Sequence, residues 1–403
     1  MDTSGDAPIR VLDSHIHLWP ASDTIPESHS WMTPGMPLAK QYSLENYFVA
    51  SGASRPSARS TTTSTSPVVG AVYIETDRTL GHWPDSSSTS SGGELDVDAL
   101  LARCAQPLAE LRWLRRLVEG TPAAGADEGF APGDGEMLLG LVPWAPVDAG
   151  ADGMRAYLRE AEQTVGPTAW ARVRGVRFLL QSLESEEALQ TLVESEAWVE
   201  GLKECGRRGL CFDVGVDVRG KGVWQLEQAV EMMERVNEGV PEGETVRFVL
   251  NHLCKPDLEQ LPTTPAQLDT FERWTRSLQR AARSPHVYMK LSGAFSELPP
   301  QPSDAPWPAA AVVERMCPWL DVLFATFRPA RIMFGSDWPV CNVRGPGDAR
   351  AWPCWRDVVV EMLSVYGLDA EARDRVWFRT AVEAYWSIPS EGEGVSEQAE
   401  LGK

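Results

Sequence analysis

Short, nearly continuous apolar runs alternate along this chain with longer stretches whose apolar residues recur every three or four positions. The runs Arg10–His17, Val68–Glu75, Met137–Val142, Val173–Leu180, Leu210–Val216, Val246–His252, Val287–Leu291 and Ile332–Ser336 predict eight strands. Apolar on both sides of the pleat, they suit parallel strands buried on both faces. Helical spacing fills the intervals, at Leu95–Glu119, Glu186–Arg207, Val223–Asn237, Ala266–Ala282 and Pro308–Thr326, with Trp355–Tyr366 and Ala370–Trp386 closing the series. This alternation predicts an α/β protein, specifically a (β/α)8 TIM-like barrel with loop insertions. An open doubly wound sheet is the competing layout. It usually carries a Gly-rich turn after its first strand, where His15-Ile16-His17 stands instead.

Three polar, Ser/Thr/Gly-rich patches interrupt the series, near 51–67, 84–93 and 120–136, and their composition predicts disorder. The first and third precede strands, on the face opposite the strand C-termini, where insertions leave a barrel undisturbed. The second follows the second strand and reads as a surface loop, with a lid as the alternative. Residues 1–389 are expected to form one domain and 390–403 a disordered acidic tail. The loop Leu18–Gln41, which carries Trp19, Trp31 and Lys40, is expected to wall the pocket.

Composition narrows the function. A chain of 403 residues with 43% hydrophobic content can bury one large core or two ordinary ones, and barrels of this type often reach such lengths as single domains. Its net charge of −20 offers no basic footprint for nucleic acid. No apolar run reaches membrane-spanning length, and the first thirty residues lack the basic start and apolar core of a secretory signal. Seven scattered cysteines without a CxxC read as reduced cytoplasmic thiols. The expected partner is a small-molecule substrate, with neither nucleic acid nor membrane; a homodimer is compatible with the sequence and not demanded by it.

The chemistry gathers at the strand ends. His15 and His17 are two apart, so in a strand they share a face. Glu75, Arg177, Asp213, His252, Lys255, Lys290 and Asp337 occupy the ends of later strands. Imidazoles with a carboxylate hold a divalent metal, or act directly as base and electrostatic clamp. Each residue also has a plainer reading. His252 alone is a hydrogen-bonded structural histidine, Lys290 a buried cation, and Glu75 a residue that steadies its neighbours. Arg177 can pair with a core carboxylate, for which Asp213 is the obvious choice. The coincidence of three histidines and Asp337 at one end of a closed barrel favours function.

The segments Asp13-Ser14-His15-Ile16-His17-Leu18-Trp19, Gly175-Val176-Arg177, Asn251-His252-Leu253-Cys254-Lys255-Pro256, Lys290-Leu291-Ser292-Gly293 and Met333-Phe334-Gly335-Ser336-Asp337-Trp338-Pro339 together resemble the amidohydrolase superfamily. The likeness is greatest to its amidohydrolase-related (amidohydrolase 2) branch of sugar-acid lactonases and pyrone dicarboxylate lactonase, and the loop and insertions are similar to fungal members. The resemblance implies a hydrolase that opens a lactone of a sugar acid or similar polar acid. Asp337 would take a proton from water, His15 and His17 would hold that water or polarise the carbonyl, and His252 would steady the oxyanion. Arg177 and Lys255 would anchor the substrate, with Trp19, Trp338, Glu75 and Lys290 as further contacts.

The chain departs from the metal-rich pattern of that superfamily. Its fourth strand carries no lysine, and Asp213 stands where single-metal relatives place a third metal histidine on the fifth. A two-metal centre is therefore not expected. His15, His17 and Asp337 would hold at most one Zn²⁺, weakly bound or dispensable, because the sequence shows no partner to orient either histidine. A metal-dependent decarboxylase or hydratase of the same group and a non-catalytic barrel are the alternative functions.

Overall fold

The computed structural model of the protein describes residues 9–55, 67–82 and 95–386. Its strands are β1 Val11–Ile16, β2 Val68–Ile74, β3 Leu138–Val142, β4 Gly175–Arg177, β5 Cys211–Val214, β6 Phe248–Leu250, β7 Val287–Leu291 and β8 Ile332–Phe334. β1 to β3 pair in order, as do β4 to β8, and every pair is parallel. Bridges at Leu141–Val173 and Trp144–Arg177 join the two ladders, and Ile16–Trp338 links β1 to the chain just beyond β8. Backbone bonds from His17 N to Trp338 O (2.7 Å) and from Asp337 N to His15 O (2.9 Å) complete that seam. The protein is an α/β barrel of the TIM type, and its closure brings the first and last motifs side by side.

Most strands are shorter than their apolar runs, because the chain leaves the ladder at the C-terminal ends and turns its polar residues toward the mouth. The helices are α1 Leu44–Ser51, α2 Val97–Arg103, α3 Ala105–Glu119, α4 Gly150–Trp170, α5 Glu186–Glu194, α6 Glu196–Arg207, α7 Trp224–Asn237, α8 Pro265–Ala281, α9 Ala294–Glu297, α10 Ala309–Phe327, α11 Ala351–Val365, α12 Ala370–Asp374 and α13 Thr380–Trp386. Two expected single helices are pairs. The first breaks at Cys104, and the second at Ser195, whose hydroxyl accepts from Trp198 N and starts α6. Apolar periodicity runs through both breaks and hides them. Among the described residues no helix is long and apolar enough to cross a membrane.

The segment 120–136 departs from its expected disorder. Phe130 and Asp134 are buried, Arg116 Nε donates to Glu128 Oε2 at 3.1 Å, and Glu45 N donates to Gly129 O at 2.8 Å. One aromatic and two carboxylates anchor a stretch that composition alone marks as loose. The patch 84–93, residues 56–66 of the first patch and the tail 390–403 lie outside the described residues.

Inside the barrel, Leu12, Val72, Ile74, Val142, Cys211, Val249 and Met333 pack on Phe378, Ala381, Ala384 and Tyr385. The last helix and the π-helical turn Arg375–Arg379 before it therefore plug the bottom. The upper interior is charged. Lys290 pairs with Asp213 at 2.5 Å, both fully buried, and Asp213 also accepts from Tyr385 Oη at 2.8 Å.

Candidate active site

The register of β1 shifts between Asp13 and Ile16. Asp13 turns outward to the surrounding helices, where it accepts from Tyr47 Oη and Trp352 Nε1, each at 2.9 Å, and from Ser336 N at 2.7 Å. His15 and His17 turn inward. A bulge of this kind re-aims side chains at a sheet's rim, and here it separates a structural carboxylate from two imidazoles. Gly335 permits the close approach: a Cβ there would stand 3.1 Å from that of His15. Gly293 does the same for His252, since a Cβ would lie 2.6 Å from its Nδ1.

The Nε2 atoms of His15, His17 and His252 each lie 3.6 Å from Asp337 Oδ1. His15 Nε2 and His17 Nε2 are 3.1 Å apart. Each ring is steadied from behind, which corrects the expectation that no partner exists. His17 Nδ1 donates to the Ile74 carbonyl at 3.0 Å, His15 Nδ1 lies 2.9 Å from Lys290 Nζ, and His252 Nδ1 lies 2.8 Å from Ser292 Oγ. A carbonyl can only accept, so His17 Nδ1 carries a proton and Nε2 is the atom turned inward. An ammonium at Lys290 donates to His15 Nδ1, which leaves the His15 proton on Nε2, directed at His17.

Burial alone would raise the Asp337 carboxyl, but His252, the hydrogen bond and charge of His17, and Lys255 hold it below its ordinary value. Burial pushes His252 down to about 3, and it pushes His15 well below the ordinary histidine value with help from Lys290. A neutral His252 therefore faces an ionised Asp337 at neutral pH. The strongest conformational feature lies beside them. His252, Leu253, Cys254 and Lys255 all adopt positive φ, between 49° and 62°. Four successive left-handed non-glycine residues are strained backbone, and this turn aims His252 and Lys255 into the cavity.

That cavity, about 280 Å³, is lined by His17, Trp19, Trp31, Arg177, Asn251, His252, Lys255 and Asp337, with Thr76, Asp77 and Gln181 among the rest. The Leu18–Gln41 loop forms part of the wall, pinned by Trp19 Nε1 to Lys40 O (2.7 Å) and Trp31 Nε1 to Thr76 O (3.1 Å). His15, fully buried, sits beneath the floor. Three proposed substrate contacts do not reach the cavity. Trp338 is buried against Tyr42 and Tyr47, Glu75 is fully buried on Arg177, and Lys290 is buried between Asp213 and His15. Arg177 keeps its place on the wall but not its expected partner. Its Nε donates to Glu75 Oε1 at 2.5 Å and its Nη2 to Glu75 O at 2.7 Å, because Asp213 is already taken by Lys290.

Asp77, Thr76, Gln181 and Asn251 are cavity residues that apolar periodicity does not flag, since they lie just past strand ends. Burial raises the Asp77 carboxyl against the pull of Arg177. For a metal, the compact donor set is two imidazole nitrogens and one carboxylate oxygen, and His17, expected among the ligands, falls outside it. The donor atoms of His15, His252 and Asp337 lie within 4.8 Å of one another, so His252 joins the ligand candidates. This chemistry fits a single zinc-like ion. The ion would have to displace the proton that Lys290 directs to His15 Nε2, which weakens its hold.

A model of the family Amidohydro_2, described as amidohydrolase, matches residues 12–385. An L-rhamnono-gamma-lactonase of Scheffersomyces stipitis is 26% identical over 379 residues, covering 93% of this chain and 98% of the relative. An L-fucono-1,5-lactonase of Burkholderia multivorans is 34% identical over a shorter stretch of 141 residues, 34% of this chain and 42% of the relative. In fold, the chain is similar to an amidohydrolase of Burkholderia multivorans crystallised with bound zinc. That match has a TM-score of 0.59 and 21% identity, over 94% of this chain and 99% of the other.

Proposed function

Because this chain belongs to the amidohydrolase family Amidohydro_2, we propose that it is a hydrolase that opens the ring ester of a sugar-acid lactone or a similar polar acid. The observation that carries this reading is one carboxylate oxygen of Asp337 held 3.6 Å from three imidazole nitrogens at the edge of a cavity. The near-complete overlap with an L-rhamnono-gamma-lactonase supports the choice of a lactone.

In this mechanism Asp337, ionised at neutral pH, takes a proton from water poised over the lactone carbonyl and returns it to the departing alkoxide. His17 positions that water. His252 stabilises the oxyanion as the carbonyl becomes tetrahedral. His15, behind them, holds His17 in register. Arg177, half-engaged by Glu75, and Lys255 orient the ring oxygens, and Trp19 covers an apolar face of the sugar. A divalent ion, when bound, would be held by His15, His252 and Asp337 and would supply Lewis-acid polarisation. We read it as dispensable. We place the enzyme in the cytoplasm on the strength of its seven unpaired cysteines.

Proton release from L-rhamnono-γ-lactone, followed with a pH indicator with and without chelator, tests the reading. Turnover in both conditions is expected. Carbon dioxide release from an aromatic acid, with no lactone turned over, would establish the decarboxylase instead.

A further inference from the structure

Among the described residues that line the cavity, Asn251 alone has its side-chain oxygen and nitrogen both buried and both without a hydrogen-bond partner. Only 1% of its surface is exposed. Its backbone is fully used, with N donating to Val214 O at 3.0 Å and O accepting from Cys254 N at 2.8 Å. The left-handed turn that begins at the next residue fixes where the amide stands. Gly215 leaves room beside it, since a Cβ there would come within 3.9 Å of Asn251 Nδ2 and within 2.7 Å of Leu179.

A buried amide without partners destabilises the folded protein until something fills both its roles. One oxygen accepts and the amino group donates, so the complementary ligand group must do both. A hydroxyl does; a carboxylate only accepts. The surroundings argue the same way. Asp77 brings a second acceptor to this cavity, and Arg177 already spends Nε and Nη2 on Glu75. A hydroxyl can give its proton to Asp77 or to Asn251 Oδ1 while accepting from Asn251 Nδ2, a pairing that a carboxylate, which only accepts, cannot complete. His252, the neighbour of Asn251, points Nε2 toward Asp337, so the amide stands next to the hydrolytic cluster.

We propose that Asn251 is a specificity residue that pairs with a ring hydroxyl, so that the substrate is a neutral polyhydroxylated lactone and not a lactone bearing free carboxylates. This rests on the lactonase reading above.

The test compares L-rhamnono-γ-lactone with γ-butyrolactone, which has no hydroxyl, in the wild type, Asn251→Ala and the isosteric Asn251→Asp. For Asn251→Ala, kcat/KM on the hydroxylated lactone should fall about 10- to 100-fold, the usual effect of an unmade buried hydrogen bond. The loss on γ-butyrolactone should be at least about tenfold smaller. Asn251→Asp keeps an acceptor and lacks the donor, so its selective loss should also appear. Asn251→Ala breaks no existing bond and should melt no lower than wild type, whereas Asn251→Asp buries a carboxyl without a partner and should melt lower. Equal losses on the two lactones, or none, overturn the role of Asn251 while leaving the lactonase reading intact. A wild type that prefers a dicarboxylate lactone overturns the substrate class alone. A wild type that hydrolyses no lactone overturns the lactonase reading and this proposal with it.

Discussion

Asp337 occupies a position where local shape and charge can be separated. Its backbone is fixed by the bond to His15 O and by a φ of 58°, neither of which depends on a charged side chain. Asp337→Asn should therefore leave the circular dichroism spectrum unchanged while kcat drops by about 10²–10⁴, the usual contribution of a general base. Near wild-type kcat in that variant would remove Asp337 from the reaction. A second residue-scale prediction concerns His29, buried in the wall loop with Nδ1 2.8 Å from Asp23 O and Nε2 2.8 Å from Thr76 Oγ1. Burial, with Arg78 nearby, pushes it from 6.5 down to about 4. The unfolded chain then binds more protons than the native one between those values. Its contribution to stability is complete above pH 6.5 and is lost as pH falls toward 4. His29→Gln, which cannot titrate, should flatten the urea-unfolding free energy across this interval; an unaltered slope would refute the assignment.

At the scale of elements, the interior of the barrel mouth is a set of strand-to-strand ion pairs. Lys290 of β7 and Asp213 of β5 are both fully buried, and removing one partner strands the other's charge. Lys290→Met should destabilise the protein by about 3–5 kcal/mol, and a Lys290→Met/Asp213→Leu double variant by clearly less. Equal destabilisation in denaturant titrations of the two would mean that packing, not charge, dominates there. The strands themselves are legible in the sequence, because burial on both faces leaves a local signal. So are His15, His17, His252 and Asp337, whose shared location follows once the barrel closes. Their partners are not legible. The Lys290–His15 contact joins residues 275 apart, and no local pattern records it. Asp13 and His15 have the spacing of residues on one face, and only the bulge in β1 sends them to opposite sides. The helix breaks at Cys104 and Ser195 escape for the reverse reason, since apolar spacing continues across them.

For the molecule as a whole, each chain should carry no more than one divalent ion. Among the described residues one His/Asp group can hold a metal, β5 offers Asp213 already committed to Lys290, and β4 has no lysine. Elemental analysis of purified protein, with kinetics before and after mild chelation, should find at most one ion and substantial residual activity. Two tightly held ions, or activity abolished by chelation and restored by zinc, would contradict this. The chain's end also bears on its beginning. Tyr385 in α13 donates to Asp213, which holds Lys290, which touches His15 in β1. The last described helix thus braces, through two buried charges, a histidine of the first strand. A variant truncated just before α13 keeps every segment that marks the family and loses the Tyr385 hydroxyl, so those segments alone do not report whether the centre is complete.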